Sequence, residues 1–305
     1  MQNLSLIPIN QITDLSFHIL CRSHSTENVD RIKKYGVLNP VWVCDGTLIA
    51  GFEQFAAAFD AGLKEIPAFV LPSETSKEQQ LDLCLELIGA EKMLPLMAMA
   101  RLAVLTDKIV DEPVKWLRER YNQHFWSITI DVFGRLKSLA ASPTSVCNYF
   151  QKYDAPLSVA MSVINLENNF QDKIIKWADE NRVRPIELEK TITDVSDCGK
   201  VKKIEYEIIW DEIIGEISCE KKGDFIREFK KILNERKNPL LTELRKKTTA
   251  AANEFKKVTG MDVAFDPAFE NPELEFKFKC SSEEEFREIM RKGETRIARI
   301  FTNKT

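Results

Sequence analysis

Leu48-Ile49-Ala50-Gly51-Phe52-Glu53-Gln54-Phe55-Ala56-Ala57-Ala58 is the stretch that decides the fold of the N-terminal part of this chain. A short apolar run meets a glycine, and an alanine-rich helix begins at once. The first N–H groups of such a helix have no partner within it, and the helix dipole favours an anion at the same end. The first charged side chain, however, is Glu53, which repels a phosphate. The stretch therefore describes a phosphate-binding frame whose ligand chemistry is altered.

The flanks fit the same unit. Pro40-Val41-Trp42-Val43-Cys44 and Thr47-Leu48-Ile49-Ala50 read as two strands joined by Asp45-Gly46, a strong hairpin signal. Trp42, in mid-strand, reads as a core residue. Upstream, residues 4–9 read as an edge strand because of Pro8. Thr26 precedes a helical pattern that stops at Gly36. Downstream, the helix from Phe52 ends near Ala61-Gly62, and Ile66-Pro67-Ala68-Phe69-Val70-Leu71 reads as the last strand. Thr75 with Glu78 has the spacing of a capping box opening the next helix.

From Leu94 the pattern is helical. Candidate helices cover 94–105, 113–122, 127–140, 143–151, 157–163, 168–180 and 184–195, with Pro113, Pro143, Pro156 and Pro185 near their starts. Such short helices and connections suggest a helix-turn-helix-like bundle. The pattern breaks at Asp197-Cys198-Gly199-Lys200. Helices near 202–215 and 223–236 follow, then one that Asn238 can cap, with Pro239 at its first position and Gly260 past its end. Residues 261–265 and 274–279 read as strands, and Ser281 or Ser282 caps a final helix over 283–292. The predicted fold class is α+β, in three regions: an N-terminal α+β domain over 1–106, a helix-turn-helix-like domain over 107–197, and a helical region with a ββα unit over 198–305.

Composition narrows the function classes. The 305 residues carry 43 basic and 47 acidic side chains, a net charge of −4, which disfavours a globally basic nucleic-acid binder. Cysteines are seven, an odd number without a C-x-x-C pair, which reads as reduced thiols in a cytoplasmic protein. The three histidines make no metal-ligand spacing with them, so no metal site is expected. The N-terminus lacks a signal-peptide layout, and no apolar run is long enough to span a bilayer, so no membrane partner is expected.

The ordered set Ile7-Pro8-Ile9, Ile32 with Gly36-Val37-Leu38-Asn39-Pro40, the strand to Gly51, Ala57-Ala58 and Ala61-Gly62-Leu63 before Ile66-Pro67 resembles the ParB/sulfiredoxin-like domain. The resemblance covers roughly the first hundred residues. It extends more loosely through Pro156-Leu157-Ser158-Val159-Ala160-Met161 and the region after Pro239. It implies a CTP site, with magnesium, built on Gly51, Phe52, Glu53 and Gln54, with Arg22 in an upstream loop and Lys92 downstream. In the family an arginine pair stands where this chain has Glu53 and Gln54. At about 4 Å and an effective dielectric near 20, one like-charge contact costs roughly 4 kcal/mol. Half of that is still more than roughly tenfold in affinity. The nucleotide motif is therefore read as degenerate. Sulfiredoxin chemistry is rejected because no cysteine lies between Gly51 and Ala58, and the histidine–arginine pair of free-serine kinases is missing too. His18 and His24 lie upstream, within reach of the site by their place in the chain, though each reads more simply as a surface or turn residue.

Lys115, Arg118, Arg120, Arg135 and Lys137 are the candidate nucleic-acid residues of the helix-turn-helix, offset by Asp111, Glu112, Glu119 and Asp131. DNA and a second copy of the chain are the candidate partners. Three function classes follow. First is a ParB-like, nucleic-acid-associated, partition-type protein with a degenerate CTP motif and no catalytic residues. Second is a non-catalytic interaction scaffold. Third is a nucleotide hydrolase or small-molecule kinase with a rearranged pocket.

Overall fold

The computed structural model describes residues 3–20, 25–89, 94–120, 128–202, 204–217, 222–271 and 273–302. It is a mixed α+β protein in which helix predominates. The chain divides into two units, Met1–Ile192 and Thr193–Thr305.

The first unit is built on a four-stranded sheet. Its strands are β1 (Asn3–Pro8), β2 (Val41–Cys44), β3 (Thr47–Ala50) and β4 (Glu65–Val70), in the order β1-β4-β2-β3. β1 is an edge, antiparallel to β4; β2 runs parallel to β4 and antiparallel to β3. The β2–β3 hairpin turns through Asp45 (φ 46°) and Gly46 (φ 77°), as Asp-Gly predicts. Helices α1 (Thr26–Tyr35) and α2 (Phe52–Asp60) cover one sheet face. Ile32, Val41, Val43, Leu48, Ala57, Ala58, Ile66 and Ala68 form the buried core between them.

Trp42 departs from its predicted place in the core. It lies on the opposite sheet face, half-buried, with its ring 4.8 Å from that of Phe69. The alternation of the strand explains this: Val41 and Val43 take the core side.

Helices α3 (Lys77–Leu87), α4 (Leu96–Ile109), α5 (Pro113–Arg120), α6 (Ile130–Ala140), α7 (Thr144–Lys152), α8 (Leu157–Ile164) and α9 (Asn168–Glu180) follow. The capping box of α3 is Ser76 with Gln79, one residue later than Thr75 with Glu78. Both pairs have the right spacing; only the second has both reciprocal hydrogen bonds, Gln79 N–H to Ser76 Oγ and Ser76 N–H to Gln79 Oε1.

Helix α10 (Pro185–Lys202) runs straight through the predicted break at 197–200. Cys198 is buried there, and the chain folds back so that Ile204 donates its N–H to Gly199 O. A Cβ on Gly199 would stand 2.8 Å from the Ile204 carbonyl oxygen. Gly199 thus permits a close approach and does not stop the helix.

The second unit continues with α11 (Tyr206–Glu216), α12 (Lys222–Lys237) and α13 (Pro239–Thr259). Asn238 precedes α13 without capping it: its side-chain amide donates to Asn234 Oδ1, and Pro239 supplies the start. Gly260 ends the helix in left-handed conformation. Strands β5 (Asp262–Phe265) and β6 (Leu274–Lys277) pair antiparallel, and α14 (Glu283–Thr302) closes the unit. Phe255 and Met261 are buried against Val263, Leu274, Phe276, Phe278 and Ile289, so the predicted apolar face of β6 is the inner one.

Candidate functional site

Two places carry the candidate residues: the turn from β3 into α2, and the surface of α5 and α6.

Gly51 makes the turn at φ 88°, ψ 30° and gives α2 no side-chain cap. A Cβ there would meet Val41 Cγ1 at 2.8 Å and Val41 Cα at 3.1 Å, so the glycine is required twice over, by its backbone and by its neighbour. Phe52, Glu53 and Gln54 then form the first turn of α2, whose N–H groups lie beyond the reach of intrahelical acceptors. Glu53 suits this helix electrostatically, since an acid in the first turn complements the dipole. It occupies the end where an anion would otherwise sit.

The structure adds two residues to this turn. The His18 imidazole stacks on the Phe52 ring, with centroids 4.5 Å apart and planes 7° from parallel. Burial pushes the His18 pKa down, the Arg101 charge adds to the fall, and Glu53 acts against it. Both charges are therefore felt at the imidazole. Arg101, from α4, donates to Ile19 O at 3.3 Å and to Gln151 Oε1 at 2.7 Å. Gln151, from α7, donates in turn to Leu20 O at 3.3 Å. Cys84, from α3, reaches Phe17 O at 3.8 Å. Residues 17–20, which carry His18, are thus held by three helices.

Arg101 escaped the sequence reading because it stands 82 residues from its Ile19 acceptor, inside an apolar helix read as packing. A lone arginine after the apolar run Met97-Ala98-Met99-Ala100 is the one local mark it leaves. His18 was visible but carried no motif. Arg22, His24 and Lys92 lie outside the described residues.

The cationic candidates of the helical surface all have partners in the chain. Lys115 pairs with Glu112 at 2.9 Å, and Arg135 with Asp131 at 2.9 Å. Arg118 donates its Nε–H to Ile128 O at 2.7 Å. Arg120 reaches Glu78 at 3.2 Å and Asp82 at 2.9 Å, and lies over the Trp116 ring. Lys137 pairs with Asp107. A cleft of about 730 Å³ opens here between α4, α5 and α6. Lys115, Arg118 and Lys137 line it together with Asp107, Glu112 and Glu119, so cations and acids balance. Such a cleft has little of the one-signed field that draws a nucleic-acid backbone.

No group of three or more His, Cys, Asp and Glu side chains among the described residues is placed to hold a metal ion. No described helix is long and apolar enough to cross a membrane.

The chain is similar to solved structures of ParB proteins. One is the C-terminally truncated chromosome-partitioning protein ParB from Caulobacter crescentus complexed with CTP-gamma-S: 18% identity, over 57% of this chain and 98% of that one, at a TM-score of 0.25. Another is a Pnob8-like ParB-N domain, 13% identical over 63% of this chain and 93% of that one, at a TM-score of 0.33. The Caulobacter protein complexed to the centromeric parS site is 17% identical over 61% and 97%, at a TM-score of 0.25. No family model matches the chain, and no curated protein matches it in sequence.

Proposed function

We propose that the chain is a ParB-like, nucleic-acid-associated protein of partition type whose nucleotide site is degenerate, and that it acts without catalysis. The observation that carries this reading is Glu53 in the first turn of α2, directly after the left-handed Gly51. The turn keeps the shape that leaves helix N–H groups facing outward, while its leading side chain bears the wrong sign for a polyphosphate. Arg101 supplies a nearby positive charge, but Ile19 O and Gln151 already engage its guanidinium.

A nucleotide panel read by thermal shift tests the pocket. The natural chain with CTP and magnesium should show no shift in Tm, and Glu53→Arg/Gln54→Arg should gain one. A large shift in the natural chain overturns the reading. Labelled duplex DNA, titrated from low to physiological salt, tests the second half. Weak binding that disappears as salt rises agrees with it; no binding at low salt rejects it.

A second reading, an interaction scaffold on the same frame, draws on the paired cations of α5 and α6. Arg120 and Lys137 tie their helices to α3 and α4, while Lys115 and Arg135 are paired within their own segments. The same titration separates the two readings, because a scaffold leaves duplex DNA unshifted at every salt concentration.

A further inference from the structure

β1 presents a sheet edge that the nucleotide and DNA readings do not use. It is the outermost strand of the sheet on its side. Its register with β4 runs from Asn3↔Val70 to Pro8↔Glu65, and just beyond it Ile9 donates its N–H to Lys64 O. In an antiparallel pair, alternate residues turn both backbone groups toward the neighbour. Asn3, Ser5 and Ile7 therefore face β4, while Leu4, Leu6 and Pro8 direct theirs outward. Leu4 is 61% exposed and Leu6 66%.

Natural edges are guarded by lysines, bulges, inward charges or proline. Residues 3–8 hold no charged side chain, and the one guard is Pro8 at the far end. We propose that β1 is a contact between two copies of this chain, an antiparallel β1–β1 pair about a two-fold axis at Ser5. The donor and acceptor pattern selects that occupant. With the axis at Ser5, Leu4 of each copy stands opposite Leu6 of the other, and their outward N–H and C=O groups match in about four hydrogen bonds. Moving the axis to Leu6 brings Pro8, which has no N–H, into the ladder. The Ser5 register also gathers both pairs of leucines on one face, beside Phe69 and Trp42, which share that side of the sheet. No charge on the strand opposes its own copy, and none is left over to recruit a different partner.

The test uses the full chain. Sedimentation over a wide concentration range should show a reversible dimer, and Leu4→Lys/Leu6→Lys should weaken it at least tenfold with an unchanged circular dichroism spectrum. Both leucines are exposed, so the variant keeps its core. Cross-linking supplies the second measurement. In the proposed register the two Ser5 residues form a non-hydrogen-bonded pair with Cα atoms about 4.5 Å apart. A disulfide accepts about 4.4–6.8 Å. The Ser5→Cys variant should therefore oxidise to a covalent dimer well beyond the level of the parent chain, whose native cysteines serve as the control. The proposal is overturned by a chain that stays monomeric throughout, by a dimer indifferent to the two lysines, or by a Ser5→Cys variant that cross-links no better than the parent.

Discussion

Gly51 packs its α-carbon against Val41 so closely that a methyl group added to it would lie 2.8 Å from Val41 Cγ1. The strand-to-helix turn has no room for any other residue. Gly51→Ala should cost about 1–3 kcal/mol from left-handed strain, with overpacking of similar size beside it. Denaturant unfolding checks this: the midpoint should fall while the m-value stays the same. Gly36 has φ 74° and nothing near its absent Cβ, so Gly36→Ala should be the milder of the two.

His18 gives the first unit a pH dependence. Its pKa in the folded chain is below its ordinary value of 6.5, chiefly through burial, then through Arg101. The unfolded chain therefore takes up the proton first as pH falls. The stability tied to this group is complete above the ordinary value and declines as pH drops from there through the depressed one. The slope is at most about 1.4 kcal/mol per pH unit. Unfolding measured from pH 7.5 to 5 should show the decline, and His18→Gln should flatten it.

Charges around the imidazole can be separated by substitution. Arg101→Gln removes a cation and should raise the His18 pKa; Glu53→Gln removes an anion and should lower it. Titration of the His18 ring by NMR reads both signs. Arg101→Gln should also cost about 1.5–3 kcal/mol, because charge-assisted hydrogen bonds to Ile19 O and Gln151 are lost.

Thiol chemistry should follow burial. Cys280 is exposed, whereas Cys84 is buried with its pKa pushed up to about 12 by burial, and Cys198 is buried too. A thiol-selective reagent followed by peptide mapping should label Cys280 in the native chain. It should reach Cys84 and Cys198 only in denaturant.

The start of α3 offers a direct comparison. Ser76→Ala removes the hydroxyl that accepts from Gln79 N–H and should cost about 1 kcal/mol. Thr75→Ala should cost less, since the Thr75 carbonyl that accepts from Gln80 Nε2 survives the change. Paired thermal melts decide which residue is the cap.

What could be seen from sequence divides along a physical line. Asp45-Gly46, Gly36, Gly51 and Gly260 each impose their geometry locally, so the hairpin, the α2 turn and two helix ends were legible. The cap of α3 was misplaced by one residue because Thr75–Glu78 and Ser76–Gln79 are equivalent as patterns. The helix across Cys198-Gly199 was hidden because burial and the return of Ile204 decide it, and neither leaves a local mark. At the candidate site, Gly51, Phe52, Glu53 and Gln54 follow one another in the chain, so the strand-to-helix turn and its leading acid were legible. The stacking of His18 and the approach of Arg101 could not, since both depend on segments brought together from far along the chain.

The grip on residues 17–20 sets an order of events during synthesis. Leu20 offers its carbonyl to Gln151, 131 residues further on. Residues 17–20 leave the ribosome long before their last anchor has been made. A stalled or clipped product ending ahead of α7 would carry a finished strand hairpin and an unfastened histidine arm, and such fragments should be the favoured substrates of cellular proteases.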